Sequence, residues 1–379
     1  MSLEIEVGGV RYAGFTSAAV EARMDAACRS FSFEATSSEG KPFPFKGGEA
    51  CRVLADGELY ATGWLEIVDA SGDSADHEIS LKGRDLVADL VDSTLGVLAD
   101  IRAPIGLATI ARRVLSHLDS GVKVVDLASP ERFNEAEDMA APEPGKPVFE
   151  FLEALARKRQ VLLNSNAEGN LVIARPSGGR SGATLLHRVE SDENNVLSWS
   201  VSYDSTGRFR RYQSLSQLNV VPTLFAAGVD LASIVSQGEG RVVTDRGVRR
   251  GRQMVVASES AYSAAEGDKR ARWEASFRRA RARVYSASVD GFRDFKGRLW
   301  TPNVLVRVLD EFAGIDADMM VNGVKFEFTP EGGSVATLAL VEKDAYTLDL
   351  ADPKNQELGL GLVSEDSGEA DSGVAGEEE

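Results

Sequence analysis

Hydrophobic and polar positions alternate with a period of two over much of this chain, and a period of 3.6 breaks in at only a few places. Leu3, Ile5 and Val7 alternate with Glu4 and Glu6. Thr62-Gly63-Trp64-Leu65-Glu66-Ile67-Val68 and His77-Glu78-Ile79-Ser80-Leu81-Lys82 do the same, as half-buried antiparallel strands should. Turn signals at Gly8-Gly9, Glu39-Gly40, Gly47-Gly48, Asp56-Gly57 and Ser71-Gly72 divide residues 1–97 into short runs that suit a small barrel or curled sheet. At Gly83-Arg84-Asp85 the period changes: Leu86, Val87, Leu90 and Val91 recur at helical spacing, so a helical plug is expected after a glycine with an unusual backbone angle. Phe31, Phe33, Phe43, Phe45 and Trp64 are expected to pack in the core and lid of this sheet, a better reading than a ligand cage.

From Ile101 the texture is helical. Ile105, Ala108, Ile110, Ala111, Val114, Leu115 and Leu118 form one face of a helix with Pro104 near its start and Gly121 past its end. Val148, Phe151, Leu152, Leu155 and Ala156 form a second stripe over residues 147–159. A hairpin follows, Val161 to Asn164 and Leu171 to Ala174, with a turn at Ala167-Glu168-Gly169-Asn170. Residues 98–182 thus read as a compact α+β module, ending in a linker from Pro176 to Gly182. Strand character resumes from Asn195 to Leu218, a long helix is expected from Ala264 to Arg283, and strands return through Val341. Residues 351–379 are rich in Gly, Ser, Glu and Asp without an aromatic residue, which predicts a disordered acidic tail. The fold class read from these elements is α+β, mainly β.

Composition narrows the function. With 43% hydrophobic and 27% charged residues, the chain has the balance of an ordinary folded protein. No run of about 18 apolar residues occurs and the N-terminal run is an alternating strand, so neither a membrane span nor a conventional secretion signal is expected. The formal charge of −17 argues against a general nucleic-acid binder, and about half of that excess lies in the eight acidic residues between Glu357 and Glu379. Cys28 and Cys51 are expected to be reduced, mostly buried thiols.

Catalytic chemistry finds no local signature. His77, His117 and His187 share no motif and show no metal spacing, so they read as structural or surface histidines. Asp192 and Glu193, or Asp316 and Asp318, would serve a glycosidase as paired carboxylates, but the reading favoured is loop solvation. Gly359 to Gly361 is not a nucleotide fingerprint, because no helix follows. The expectation is therefore no catalytic, cofactor or metal site and no enzyme. Two basic clusters stand out. Lys269, Arg270, Arg272, Arg278, Arg279, Arg281 and Arg283 surround Trp273 and Phe277, and a role in subunit or internal ion pairs is preferred over a solvated face or DNA contact. Arg241, Arg246, Arg249, Arg250 and Arg252 lie among glycines and read as a mobile loop.

Three segments resemble the hub proteins at the centre of phage tail baseplates, the family found in Mu-like contractile-tailed phages. The first carries Asp56-Gly57, Thr62-Gly63-Trp64, Gly83-Arg84 and Asp89-Leu90-Val91-Asp92. The second is Phe149-Glu150-Phe151-Leu152-Glu153-Ala154-Leu155-Ala156, a pattern shared with secretion-spike proteins. The third carries Leu299-Trp300-Thr301-Pro302-Asn303, a strand pair separated by Asn322-Gly323, and Asp344-Ala345-Tyr346. The resemblance implies two similar small β-barrel domains with the α+β module inserted: a first barrel at 1–97 completed by strands at 183–225, the module at 98–182, and a second barrel with the basic helix at 226–350. It implies a homotrimeric ring of six quasi-equivalent units. Such a ring would join a hexameric tail tube to a trimeric spike, nucleate the tube, and share in envelope penetration and genome ejection. The implied partners are copies of itself, the spike, the tube and other baseplate proteins, with DNA only in transit and no stable membrane insertion. The implied location is the virion tail, after synthesis in the host cytoplasm. A tail-associated envelope-degrading enzyme and a secretion-system spike hub subunit are the alternatives.

Overall fold

The computed structural model describes residues 2–37, 44–73, 77–98, 101–134, 142–176, 179–216, 242–258 and 264–346. In chain order the first strands are β1 (Leu3–Val7), β2 (Val10–Tyr12), β3 (Ser17–Arg23), β4 (Ser30–Ser37), β5 (Ala50–Ala55), β6 (Glu58–Gly72) and β7 (His77–Asp85). A helical segment follows, with α1 (Ala88–Asp92), α2 (Leu107–Leu118), β8 (Val124–Asp126), α3 (Val148–Lys158), β9 (Leu162–Ser165) and β10 (Leu171–Ala174). The remainder comprises β11 (Arg180–His187), β12 (Val196–Tyr203), β13 (Arg211–Ser216), β14 (Val243–Thr244), β15 (Gln253–Ser258), α4 (Ala264–Ala282), β16 (Arg283–Asp290), β17 (Leu305–Asp310), β18 (Ile315–Thr329) and β19 (Gly333–Glu342). Phe43, Arg241, the expected tail and Gly359 to Gly361 lie outside the described residues.

Thirteen of these strands form one branched sheet whose fork is β18. One side of β18 pairs with β19 from Met319 to Thr329. Its other side pairs first with β17, over Ile315 to Met320, and then with β3, over Gly323 to Phe328. From β3 the ladder continues through β4, β7, β6, β5, β1 and β2; from β19 it continues through β16 to β12, and from β17 to β11. Alternate residues face inward, as the period-two pattern requires. The inward faces of both branches, Ile5, Phe33, Val53 and Leu65 with Tyr285, Val308, Phe326 and Leu340, belong to a single hydrophobic core.

The protein is mainly β with few helices, and its sheet divides at β18 into two halves that share that strand. Among the described residues neither half closes as a continuous ladder. In the C-terminal half, β11 and β12 lie side by side, and Asn194 and Asn195 bridge the gap. The Asn195 amide takes a bond from Leu186 N–H (2.8 Å) and gives one to the Thr184 carbonyl (2.8 Å), while the Asn194 amide bonds both backbone groups of Arg188.

Three sequence expectations change. Of the residues 183–225 that the resemblance assigned to the first barrel, those in β11 and β12 pair with β17 and β16 in the C-terminal half. Alternation shows which side chains face inward and carries no information on which strand lies alongside. Asn322-Gly323 does not separate two strands: β18 runs straight through it, with a register shift against β19 between Val321 and Gly323. Asn322 is buried because its amide donates to Asp25 (3.2 Å) and accepts from the Tyr346 hydroxyl (2.9 Å). Gly83 lies inside β7 without a positive φ, and the helix begins later, at Ala88. Its glycine is needed for space: a Cβ there would sit 2.1 Å from the Trp64 carbonyl oxygen and 2.5 Å from the Phe31 ring.

The helical segment matches its reading closely. α2 and α3 pack their predicted stripes against β8, β10 and β9, with Ile110, Val114, Phe151, Leu155 and Ile173 buried together. α2 ends at Asp119 in the left-handed region, two residues before the glycine. A buried polar joint fixes this module to the sheet. The Asp85 carboxylate accepts from the Arg29 N–H (2.8 Å), the Val87 N–H (3.0 Å) and the Ser165 hydroxyl, and the Arg29 guanidinium donates to the carbonyls of Tyr60 and Ser165. Burial pushes the Asp85 carboxyl up to about 6 against these bonds.

Candidate functional site

The basic helix is the chain's most conspicuous chemical feature. With 3.6 residues per turn, Trp273, Phe277 and Ala280 fall on one face of α4, and Ala271 and Ala275 fall on the opposite face. The first face packs on Met24, Leu162, Met320, Val341 and Tyr346. The second packs on Tyr212 and Val243 of a separate small sheet, β14-β13-β15. Burial on two opposite faces explains why no single apolar stripe shows in the sequence.

The arginines occupy the flanks between these faces and are spent on internal carboxylates. Arg270 pairs with Glu274 (2.6 Å), Arg272 with Asp268 (2.9 Å) and Arg278 with Glu274 (3.3 Å), each across one helical turn. Arg279 and Arg283 both reach Glu342 of β19, at 3.5 and 2.8 Å, and Arg281 reaches Asp25 in the β3–β4 turn at 3.3 Å. Burial opposes ionisation of Asp25, but the Arg23 and Arg281 guanidiniums outweigh it and hold the carboxyl below its ordinary range. Of the preferred sequence reading, subunit or internal ion pairs, the geometry shows the internal pairs for these arginines. A cavity of about 380 Å³ lies where α4, α3 and the β3–β4 turn meet, lined by Asp25, Glu153, Arg157, Glu274, Arg278 and Arg281. With Asp204 also in the lining, four carboxylates and three guanidiniums share it, so charges of both signs face the cavity.

The candidate catalytic groups do not converge. His77 is exposed in β7 and His117 is exposed in α2. His187 forms a dyad that sequence reasoning missed, because its partners are far away in the chain. Its Nδ1 lies 3.2 Å from Asp310 Oδ1, and the other Asp310 oxygen accepts from the Tyr285 hydroxyl at 2.6 Å. The Trp199 indole N–H donates to His187 Nε2 at 3.2 Å, and that nitrogen is the one a nucleophile would need as its base. The dyad is therefore closed by its own chain. Glu193 lies in the β11–β12 loop within 3.4 Å of Arg188; Asp316 is bonded to Arg307 and Asp318 to Arg180. No group of three or more His, Cys, Asp or Glu suited to a metal occurs among the described residues. Phe31, Phe33 and Phe45 are buried in the core and Trp64 is half-buried. Both cysteines are free thiols, and burial pushes each up to about 12.

The second basic cluster divides in two. Arg252 lies over the Phe209 ring at 5.1 Å and donates to the Thr206 carbonyl. Arg246, Arg249 and Arg250 stand exposed on the β14–β15 turn. Large apolar side chains are exposed at the edge strand β12 and at turns of the C-terminal half, including Leu197, Tyr203, Phe295 and Phe312.

Comparison with known proteins shows that this mainly β chain is similar to phage tail baseplate proteins. Residues 2–85 match the N-terminal domain of the Mu phage baseplate assembly protein GpP-like family, and residues 263–349 match the fourth domain of Mu phage baseplate assembly protein GpP. The chain is a homologue of baseplate hub protein gp44 of Escherichia phage Mu, with 24% identity over 363 residues, covering 94% of this chain and 92% of that one. The crystal structure of the 43 kDa tail protein of prophage MuSo2 from Shewanella oneidensis superposes with a TM-score of 0.75 at 28% identity, covering 92% of this chain and 100% of that one. A tail protein from Neisseria meningitidis MC58 shares the fold, with a TM-score of 0.74 at 22% identity over 92% of this chain and 98% of that one. The resemblance to Mu-like hub proteins drawn from the three sequence segments is borne out.

Proposed function

We propose that this chain is the structural hub of a phage tail baseplate, without enzymatic activity. The observation that carries the proposal is the end-to-end homology to the Mu hub protein. The architecture is compatible with it: β18 belongs to both halves of the sheet, and in the proposed ring three chains supply six similar units. In this proposal the halves act as two barrel-like units, one built on residues 1–97 and the other on 226–350 with the strands at 180–203, and residues 98–182 form a module carried on the first. The ring seats a hexameric tube on one face and a trimeric spike on the other, nucleates the tube, and passes DNA through its lumen. The chain then resides in the virion tail after synthesis in the host cytoplasm.

Light scattering on the purified protein tests the assembly, with a mass of about three times the 40.7 kDa chain expected. A single-chain mass at every concentration would overturn the ring. Complementation tests the role: a Mu-like prophage lacking its own hub should recover assembled tails when supplied with this chain, and failure alongside a complementing native hub would refute it.

A further inference from the structure

The arginines of α4 are paired with carboxylates inside the chain, whereas three on the β14–β15 turn have no such pairing among the described residues. Arg246, Arg249 and Arg250 are exposed and have no ion-pair partner among the described residues, and neither has Arg211, which is exposed at the start of β13 beside the turn. The turn that displays them is built to hold them still. Asp245 is buried and takes three bonds from the Arg208 guanidinium, at 2.8, 3.0 and 3.1 Å, and one from the Gly247 N–H at 3.0 Å. Arg210 Nη1 donates to the carbonyls of Arg246 (2.7 Å), Val248 (3.2 Å) and Asp245 (3.4 Å), drawing the turn's acceptors inward. Val248 is buried beneath. The outer side of the turn is left with cations alone on a pre-shaped backbone, a surface fitted to a strand of carboxylates.

The same chain contains such a strand. Residues 357–379 hold eight Asp and Glu and no Lys or Arg. The last described residue, Tyr346, packs on Phe277 of α4 with ring centroids 5.3 Å apart; the next helix residue, Arg278, lies 5.6 Å from the centre of the Phe209 ring, and Arg252 lies 5.1 Å from the same centre. The eleven residues from Tyr346 to Glu357 extend up to about 36–40 Å, several times the length of one such side-chain contact. We propose that the β14–β15 turn is a docking surface for the chain's own acidic segment 357–379, which covers Arg246, Arg249 and Arg250 until a competing anionic surface displaces it.

The experiment uses full-length chains. In one, the eight acidic residues from Glu357 to Glu379 are replaced by Gln or Asn; a second adds R246A, R249A and R250A. The probe is a fluorescein-labelled peptide of residues 353–379, followed by anisotropy at low and high salt. The neutralised chain should take the peptide at least about tenfold more tightly than wild type, with the gain fading as salt rises, and the added alanines should remove that gain. In an independent arm, R249K and R250K in the full-length wild-type background supply amines for a zero-length carbodiimide cross-linker, and cross-links to acids of 357–379 are expected by mass spectrometry. Equal peptide binding by wild-type and neutralised chains, binding indifferent to the three alanines, or cross-links confined to other acids would each overturn the proposal. A labelled DNA oligonucleotide that binds the wild-type chain undiminished, with the acidic segment intact, would show the arginines open and overturn it as well.

Discussion

Asp85 offers the sharpest test of how this fold is held together. It is fully buried at the joint between sheet and helical module, accepts three hydrogen bonds, and has its carboxyl pushed from an ordinary 3.8 up to about 6 by burial. The folded chain therefore holds this proton more tightly than the unfolded chain. Stability contributed by the group grows as pH falls from about 6 towards 3.8, and it is lost as pH rises through that interval. Between about pH 7 and about pH 5 the gain amounts to about 1 kcal/mol. On further acidification the sign reverses, because Asp25 and Asp294 are held below their ordinary range: burial opposes this in both, but Arg23 and Arg281, and for Asp294 Arg298, outweigh it. D85N removes the titration while keeping the shape. Its amide nitrogen must face either the Arg29 or the Val87 N–H, a donor against a donor, which costs about 1–3 kcal/mol at every pH. Urea denaturation followed by tryptophan fluorescence at about pH 5, 6 and 7 separates the two effects. The constant offset is the lost hydrogen bond, and the pH-dependent part of the wild-type minus variant difference is the Asp85 proton. Groups common to both chains cancel in that difference. A difference that does not change with pH, or one showing wild type losing ground on acidification to pH 5, would refute the reasoning.

Three further outcomes are expected. G83A should destabilise the protein by about 1–3 kcal/mol or more, since β6 and β7 must part to admit the methyl, whereas G96A, with nothing within 4 Å of its new carbon, should stay within about 0.5 kcal/mol of wild type; denaturant midpoints decide both. W273A empties the joint between α4 and the sheet, where Trp273 is 3% exposed, and should cost about 3–5 kcal/mol, read from the same curves. Cys28 and Cys51, both pushed up to about 12 by burial, should react with a thiol reagent near neutral pH far more slowly in the native protein than in urea. Equal rates would show that the thiols are not shielded.

What was legible in the sequence was local. α2, α3 and the β9–β10 hairpin are specified within a dozen residues each, by stripes, end signals and a turn, and they stand where the pattern put them. The acid partners of Arg272 and Arg278 are also visible in the sequence, one helical turn back at Asp268 and Glu274. Its longer reaches, Arg281 to Asp25 and Arg279 to Glu342, depend on tertiary placement that no spacing encodes. The same limit explains the partners of β11 and β12 and the hidden bond of His187 to Asp310. Asn322-Gly323 misled for another reason: the pair is a strong turn signal alone, and the buried amide bonds that keep it in mid-strand come from Asp25 and Tyr346.

The forked strand has a mechanical meaning. β18 is gripped along one side by β19 and along the other by β17 and then β3, so a pull along its axis loads those hydrogen bonds in shear, many at a time, instead of peeling them one after another. Force applied to one half of the sheet therefore reaches the other through a single continuous strand and the many bonds that flank it.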